Sequence, residues 1–246
     1  SVRQSLESIL AQVDERFEII VVDNCSNDGS LEILREYRGK SIKLIVKKCS
    51  RGLGRQTAIE NSRGKYIISH MDMDDVFQPN LNKLLRVYHA NFEGHMLVVQ
   101  GVPGRLAGIM IAPRELIDAV GGYNDLNYLE DRDLFSRVAQ LGYFRFLKAF
   151  RIIDHSIKKG KRSHRIISLL EKEYLVFRES FRIGQGSRLC YHGFVRKPLF
   201  FLGRLPIVFW AFVSHWFYPQ FYNEFHKTFN MNDYEVRIAE SAEREI

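Results

Sequence analysis

Residues 17–72 alternate between two kinds of pattern. "FEIIVVDN" (17–24), "IKLIVKK" (42–48) and "KYIISHMD" (65–72) are short apolar runs rich in β-branched residues, as strands buried on both faces require. Between them, "LEILREYR" (31–38) and "GRQTAIENSRG" (54–64, ended by Gly64) read as helices. Upstream, Leu6, Ile9, Leu10 and Val13 fall on one face of a further helix. Strands alternating with helices at this spacing predict βαβ units, an α/β fold and a mostly parallel sheet.

The pattern continues less regularly. A helix is expected over 79–92 with Pro79 at its start. Strands follow over 95–102 and 106–113, and then a short helix over 114–125 with a Gly-Gly stop. Residues 129–142 form a helix opened by acids and closed by Gly142, and 143–154 read as one or two strands. "HSIKKGKRSHR" (155–165) is a basic loop, 166–184 a helix and 232–246 a polar tail. A chain of 246 residues accommodates one large α/β domain with an appendage.

The formal net charge of +7 suits anionic partners such as nucleotides, lipid phosphates or acidic membrane surfaces. No nucleic-acid-binding motif accompanies that charge, so no nucleic-acid partner is expected. "RGLGRQT" places Thr57 where a dinucleotide-binding fingerprint needs its third glycine, and it follows the wrong strand. Cys25, Cys49 and Cys190 show no metal-ligand spacing and read as free thiols of a reducing compartment. The first thirteen residues are amphipathic and unlike a signal peptide.

The third strand ends in "SHMDMDD", with Asp72, Asp74 and Asp75 inside four positions. Aspartates favour turns and helix N-caps, and Asp75 fits that role at least as well as any other. Closely spaced carboxylates at a strand's end can also hold a divalent cation against a phosphate. Spacing alone leaves both readings open.

Three motifs in order bear on the choice: "EIIVVDNCSNDGS", "GRQTAIENSRGKYIISHMDMDD" and "GGYNDLNYLEDRDLFSRVAQLGY". Together they resemble the family 2 glycosyltransferases, inverting enzymes of the GT-A fold, over roughly residues 1–155. The resemblance implies a catalytic domain at 1–155, with 156–246 supplying the basic loop, helices and a membrane-associating or packing segment. It implies that Asp23, with Asn24 beside it, binds the nucleobase. Asp74 would contact a Mn²⁺ or Mg²⁺ ion directly, and Asp72 the ribose or the metal's water. Asp131 matches the catalytic base, Glu130 flanks it, and Arg55 lies where the family contacts the nucleotide. His155 stands where some members add a histidine to the metal site. The donor would be a nucleotide-diphosphate sugar and the acceptor a glycan or a lipid-linked group.

The family begins with a strand that this sequence does not show, because residue 1 already lies in the following helix. The expected consequence is a nucleotide site only partly built and weak donor binding. The alternatives are a catalytically silent, membrane-associated binding protein or a nucleotidyltransferase, although the chain shows no Gly-rich phosphate loop near its start.

The run 199–222 is almost wholly apolar or aromatic but is interrupted by Gly203, Arg204 and Pro206. With Arg196 and Lys197 before it, it predicts a peripheral or re-entrant contact at the cytoplasmic face of a membrane.

Overall fold

The computed structural model describes residues 2–39, 42–100, 108–148, 153–154, 166–196, 198–221 and 229–236. Helix α1 (Val2–Leu10) leads into strand β1 (Ile19–Asp23), then α2 (Ser30–Glu36), β2 (Ile42–Val46), α3 (Arg51–Glu60) and β3 (Tyr66–Ser69). A two-residue strand β4 (Val76–Phe77) precedes α4 (Leu81–Asn91). Strands β5 (Met96–Val99) and β6 (Met110–Pro113) lead to α5 (Arg114–Ala119) and α6 (Glu130–Gln140). Then come β7 (Phe144–Leu147), β8 (Ile153–Asp154), helices α7 (Ile166–Arg182), α8 (Gly186–Arg196), α9 (Pro198–Leu202) and α10 (Leu205–Ser214), and finally β9 (Glu235–Val236).

The α/β class holds, and the main sheet is mixed. Its order is β3-β6-β5-β7-β9, with β6 antiparallel to both neighbours and β5-β7-β9 parallel. Strand alternation divides the core between the two sheet faces. Met96, Val98, Met110, Ala112, Phe144 and Phe146 pack with Leu134, Phe135 and Val138 of α6 on one face. Leu97, Val99, Ile109, Ile111 and Leu147 pack with Leu84, Val87 and Tyr88 of α4 on the other. All four residues of β5 are buried, which is why its sequence is a continuous apolar run.

Strands β1 and β2 form a separate parallel pair. Among the described residues β1 pairs only with β2, and β3 only with β6. The facing edges of β1 and β3 line a common cavity of about 990 Å³. Helix α1 packs beside this gap and reaches both sides of it. Its Leu6 joins Val21, Leu34 and Ile42, while its Ile9 joins the α4 side of the main core. Val21 and Asp23 are the only residues of β1 classed as buried, fewer than the sequence pattern predicts, because one edge of that strand opens onto the cavity.

Four local expectations need correction. Helix α3 starts at Arg51 and stops at Glu60, because the Ser50 hydroxyl accepts the Leu53 N–H at 3.1 Å and caps it three residues earlier than the apolar pattern implies. Asp75 lies in a turn, its N–H bonded to the Asp72 carbonyl, as the turn reading expects, but it precedes β4 rather than a helix that it could cap. Helix α8 lies in a stretch for which the sequence reading assigned no element. The start of the supposed polar tail is structural, because Tyr234 packs on Phe144 and β9 extends the main sheet. The basic loop 155–165, including His155, lies outside the described residues.

Helices α7 to α10 form a helical appendage with its own small core of Phe177, Phe201, Val208 and Ala211. Among the described residues no helix is long and apolar enough to cross a membrane.

Candidate active site

Of the sequence-predicted residues, Asn24, Arg55 and Asp72 line the cavity, and Glu130 at the start of α6 is tied to them through Arg55. Asp23 closes β1 and is 6% exposed. Its Oδ1 accepts the Ser26 N–H at 2.8 Å, so part of this carboxylate shapes the turn that follows. Asn24 lines the cavity and accepts the Cys49 N–H at 2.9 Å, tying the end of β1 to the loop before α3.

Beyond β3, Asp72, Asp74 and Asp75 can bring carboxylate oxygens within 4.8 Å of one another. A group of hard oxygen donors at that spacing fits a divalent cation such as Mg²⁺ or Mn²⁺. Asp72 and Asp74 are exposed and accessible to a ligand, whereas Asp75 is 9% exposed.

Glu130 and Asp131 open α6, where the helix N-terminus favours negative charge. They sit in different surroundings. The Glu130 side chain is buried and bonded to Arg55 Nη1 at 2.6 Å, with Arg51 at 3.6 Å. Burial and the neighbouring Asp131 push its pKa up to about 7, against the pull of the two arginines. Asp131 is only partly covered, and its Oδ1 accepts the N–H of Arg132 at 2.7 Å. Asp133 is fully buried and structural, held by Arg137 at 2.6 Å and Asn124 at 2.8 Å.

Arg55 connects the two halves of the site. One end of its guanidinium meets Glu130, and the other lies 3.6 Å from Asp72. Its charged state is favoured by Tyr123, Glu130, Asp72 and Asp131, which together outweigh the larger opposing effect of burial. Arg55 is half-buried between these two acids.

Two glycines allow this approach. A Cβ on Gly52 would fall 2.1 Å from the Asn124 carbonyl, and Gly52 N–H donates to the Leu126 carbonyl at 2.8 Å. Gly122, at φ +70, lies against Gln56, whose Oε1 accepts the Tyr123 N–H at 2.9 Å. Helix α3 is thereby docked on the loop that delivers Glu130 and Asp131.

His70 and Tyr123 were not singled out from the sequence. The Tyr123 hydroxyl and His70 Nε2 are 2.8 Å apart in the buried floor of the site. Burial, with help from Arg55, pushes the His70 pKa well down, and burial raises that of Tyr123 to about 12, so both are neutral near pH 7. A histidine directly before the aspartates and a tyrosine directly after the Gly-Gly pair were the available signals.

Among the described residues, Cys25, His70 and Leu129 are the non-glycine residues with a left-handed backbone. Each belongs to one of the three motifs: after Asp23–Asn24, before Asp72, and before Glu130–Asp131. Such a conformation costs roughly 1–3 kcal/mol and persists only where surrounding contacts over-determine it, which happens most often at functional sites. His70 is held by Tyr123 and by the Phe135 ring, 5.3 Å away. Leu129 follows Tyr128, whose N–H is bonded by Glu179 of α7.

A mixed α/β sheet with carboxylates gathered at strand ends defines the GT-A class, and comparison with known proteins agrees. The profile described as Glycosyl transferase family 2 matches residues 1–129, and the chain belongs to that family. An uncharacterised glycosyltransferase of Methanocaldococcus jannaschii is 40% identical over 82 residues, covering 31% of this chain and 28% of that protein. The chain spans less than half the length of the curated relatives it matches. Among solved structures, Staphylococcus aureus TarS (1–349) aligns over 87% of this chain and 76% of its own, with a TM-score of 0.58 and 17% identity. The mannosyltransferase PcManGT of Pyrobaculum calidifontis, in complex with GDP-Man and Mn²⁺, aligns over 87% and 70%, with a TM-score of 0.54 and 17% identity. At such identities these are likenesses of fold.

Proposed function

We propose that this protein is an inverting, metal-dependent glycosyltransferase that moves a sugar from a nucleotide-diphosphate sugar to a hydroxyl or a lipid-phosphate acceptor. The observation that carries this reading is the Arg55 bridge, in which one guanidinium meets Asp72 of the strand-end aspartates and Glu130 at the start of α6.

In this reading residues 1–155 are the catalytic part and 156–246 the appendage. Asp23 and Asn24 hold the nucleobase. Asp74 and Asp72 would hold Mn²⁺ or Mg²⁺, with His155 a further candidate ligand, and such an ion would supply positive charge against the diphosphate. Asp131, the more accessible of the two acids opening α6, accepts the proton of the acceptor hydroxyl as that oxygen bonds to the anomeric carbon and the bond to the diphosphate oxygen breaks, releasing the nucleoside diphosphate. Glu130 takes no proton from substrate. Its ion pair with Arg55 fixes the start of α6 so that Asp131 faces the donor. Tyr123 and His70, both neutral, support the floor beneath the aspartates without adding charge. The enzyme works at the cytoplasmic face of a membrane, which the aromatic appendage contacts.

The test is nucleotide release from UDP- and GDP-sugars with Mn²⁺ present. Release that stops in Asp131→Asn while donor still binds supports the assignment, and an unchanged rate in that variant removes it. The exposed aromatic side of the appendage favours one second reading, a catalytically silent, membrane-associated binding protein. Donor binding without turnover would distinguish it.

A further inference from the structure

We infer that the outward face of α10 and the helical turn after it (His215–Phe217) is a docking surface for an anionic lipid bilayer, lying in the plane of the membrane rather than crossing it. The inference deepens the membrane contact of the proposed function and stands or falls independently of the transfer chemistry.

The face is defined by helical spacing. Val208, Ala211, Ser214 and His215 turn inward and are buried. Leu205, Phe209, Phe212 and Trp216 recur at intervals of four, three and four and are exposed. Trp210 and Phe217, seven apart, widen the stripe, and Phe217 is 84% exposed. A run of large exposed aromatics is uncommon on a protein surface that faces only water.

The inward side explains why these side chains stay outside. Tyr174 Oη donates to Ser214 Oγ at 2.8 Å, and Arg204 is paired with Glu173. Arg178 lies 4.1 Å from the centre of the Tyr218 ring, and Arg182 Nε donates to the Pro219 carbonyl at 2.9 Å. Polar contacts to α7 therefore fix the rotation of the helix and commit its aromatic half to the exterior.

Charge selects the occupant. The stretch from Ser180 to Asn223 has no Asp or Glu, and of its five Lys or Arg residues Arg182 is buried, Arg204 is paired with Glu173 and Arg196 is exposed on α8. A second copy would set two chains of net charge +7 against each other. An anionic headgroup layer offers the complementary charge, while tryptophan and phenylalanine seat at the boundary with the acyl chains. The placement also has a consequence for the site. Glu179, on α7, bonds the Tyr128 N–H just ahead of Glu130 and Asp131, so the docked face and the acceptor side of the site are held by one helix.

The two tryptophans of the chain, Trp210 and Trp216, both lie on this face, so intrinsic fluorescence reads it directly. Mixed phosphatidylcholine–phosphatidylglycerol vesicles should shift the emission to the blue and carry the protein on flotation, less so with phosphatidylcholine alone or in high salt. The double substitution Phe209→Ser, Phe217→Ser removes exposed side chains, keeps both reporters and should lower the bound fraction roughly tenfold or more. Its thermal melt, recorded beside the wild type, checks that it is folded. Unshifted emission with all protein left unbound overturns the inference. So does a blue shift that appears without lipid on raising protein concentration and coincides with a dimer in sedimentation, because the face then belongs to a second copy.

Discussion

At the scale of single residues, the two acids that open α6 divide the work by their surroundings. Asp131→Asn should lower kcat by roughly a hundred- to ten-thousandfold with donor affinity retained, measured by initial rates beside calorimetry. Glu130 carries a stability signature instead. Its folded pKa of about 7 lies above the reference value of 4.5, so between those values the folded chain holds an extra proton. Its contribution to stability is complete below the lower value and declines as pH rises through the upper one. Arg55→Ala should therefore be costly above that window, by about 3 kcal/mol or more, because it leaves a buried carboxylate without its partner. Below the window Glu130 takes a proton and the penalty should shrink, which denaturant melts at low and high pH would show. The carboxylates of this site were legible in the sequence because their motifs occur in a fixed order. The His70–Tyr123 contact was not, because it joins positions 53 apart and their neighbouring motifs do not say that the two side chains meet.

At the scale of elements, the approach of α3 to the loop before α6 decides whether the site assembles. Gly52→Ala places a methyl group against the Asn124 carbonyl and should destabilise the protein by about 1–3 kcal/mol. A fall in the urea midpoint without a change in slope would register it. Turnover should fall further than stability alone explains, because Arg55 and Glu130 would no longer meet. Strands β5 and β6 of the main sheet were readable because each is a wholly buried apolar run. Helix boundaries were less so: Ser50 caps α3 through a single hydroxyl, a signal weaker than the apolar periodicity beside it. The segment 229–236 looked polar because only Phe229, Met231, Tyr234 and Val236 face the core, and its pairing partner β7 lies far back in the chain.

At the scale of the whole molecule, the gap between β1 and β3 sets how firmly the nucleotide side is held. Both edges carry backbone groups that a strand lying between them would satisfy, and α1 already packs on both sides of the space. An apolar strand-forming peptide supplied to these 246 residues and seated between the two edges should raise both stability and donor affinity, with each kcal/mol gained appearing as about 2–4 °C in Tm. No gain in either quantity would show that the gap is closed by other means. The fold class was visible in the sequence at this scale because alternating strands and helices leave few architectures. The helical appendage was visible only as an aromatic run, since its packing on α7 depends on buried arginines that sequence patterning treats as surface.

The central claim is that a metal held by Asp72 and Asp74 presents a nucleotide-diphosphate sugar to Asp131. Calorimetric titration of UDP-glucose, UDP-GlcNAc and GDP-mannose, with and without Mn²⁺, on the protein and on Asp74→Ala tests it most directly. The account predicts that one donor binds, that the binding needs the metal, and that the substitution abolishes it. Donor binding that survives both chelation and the loss of Asp74 would contradict it.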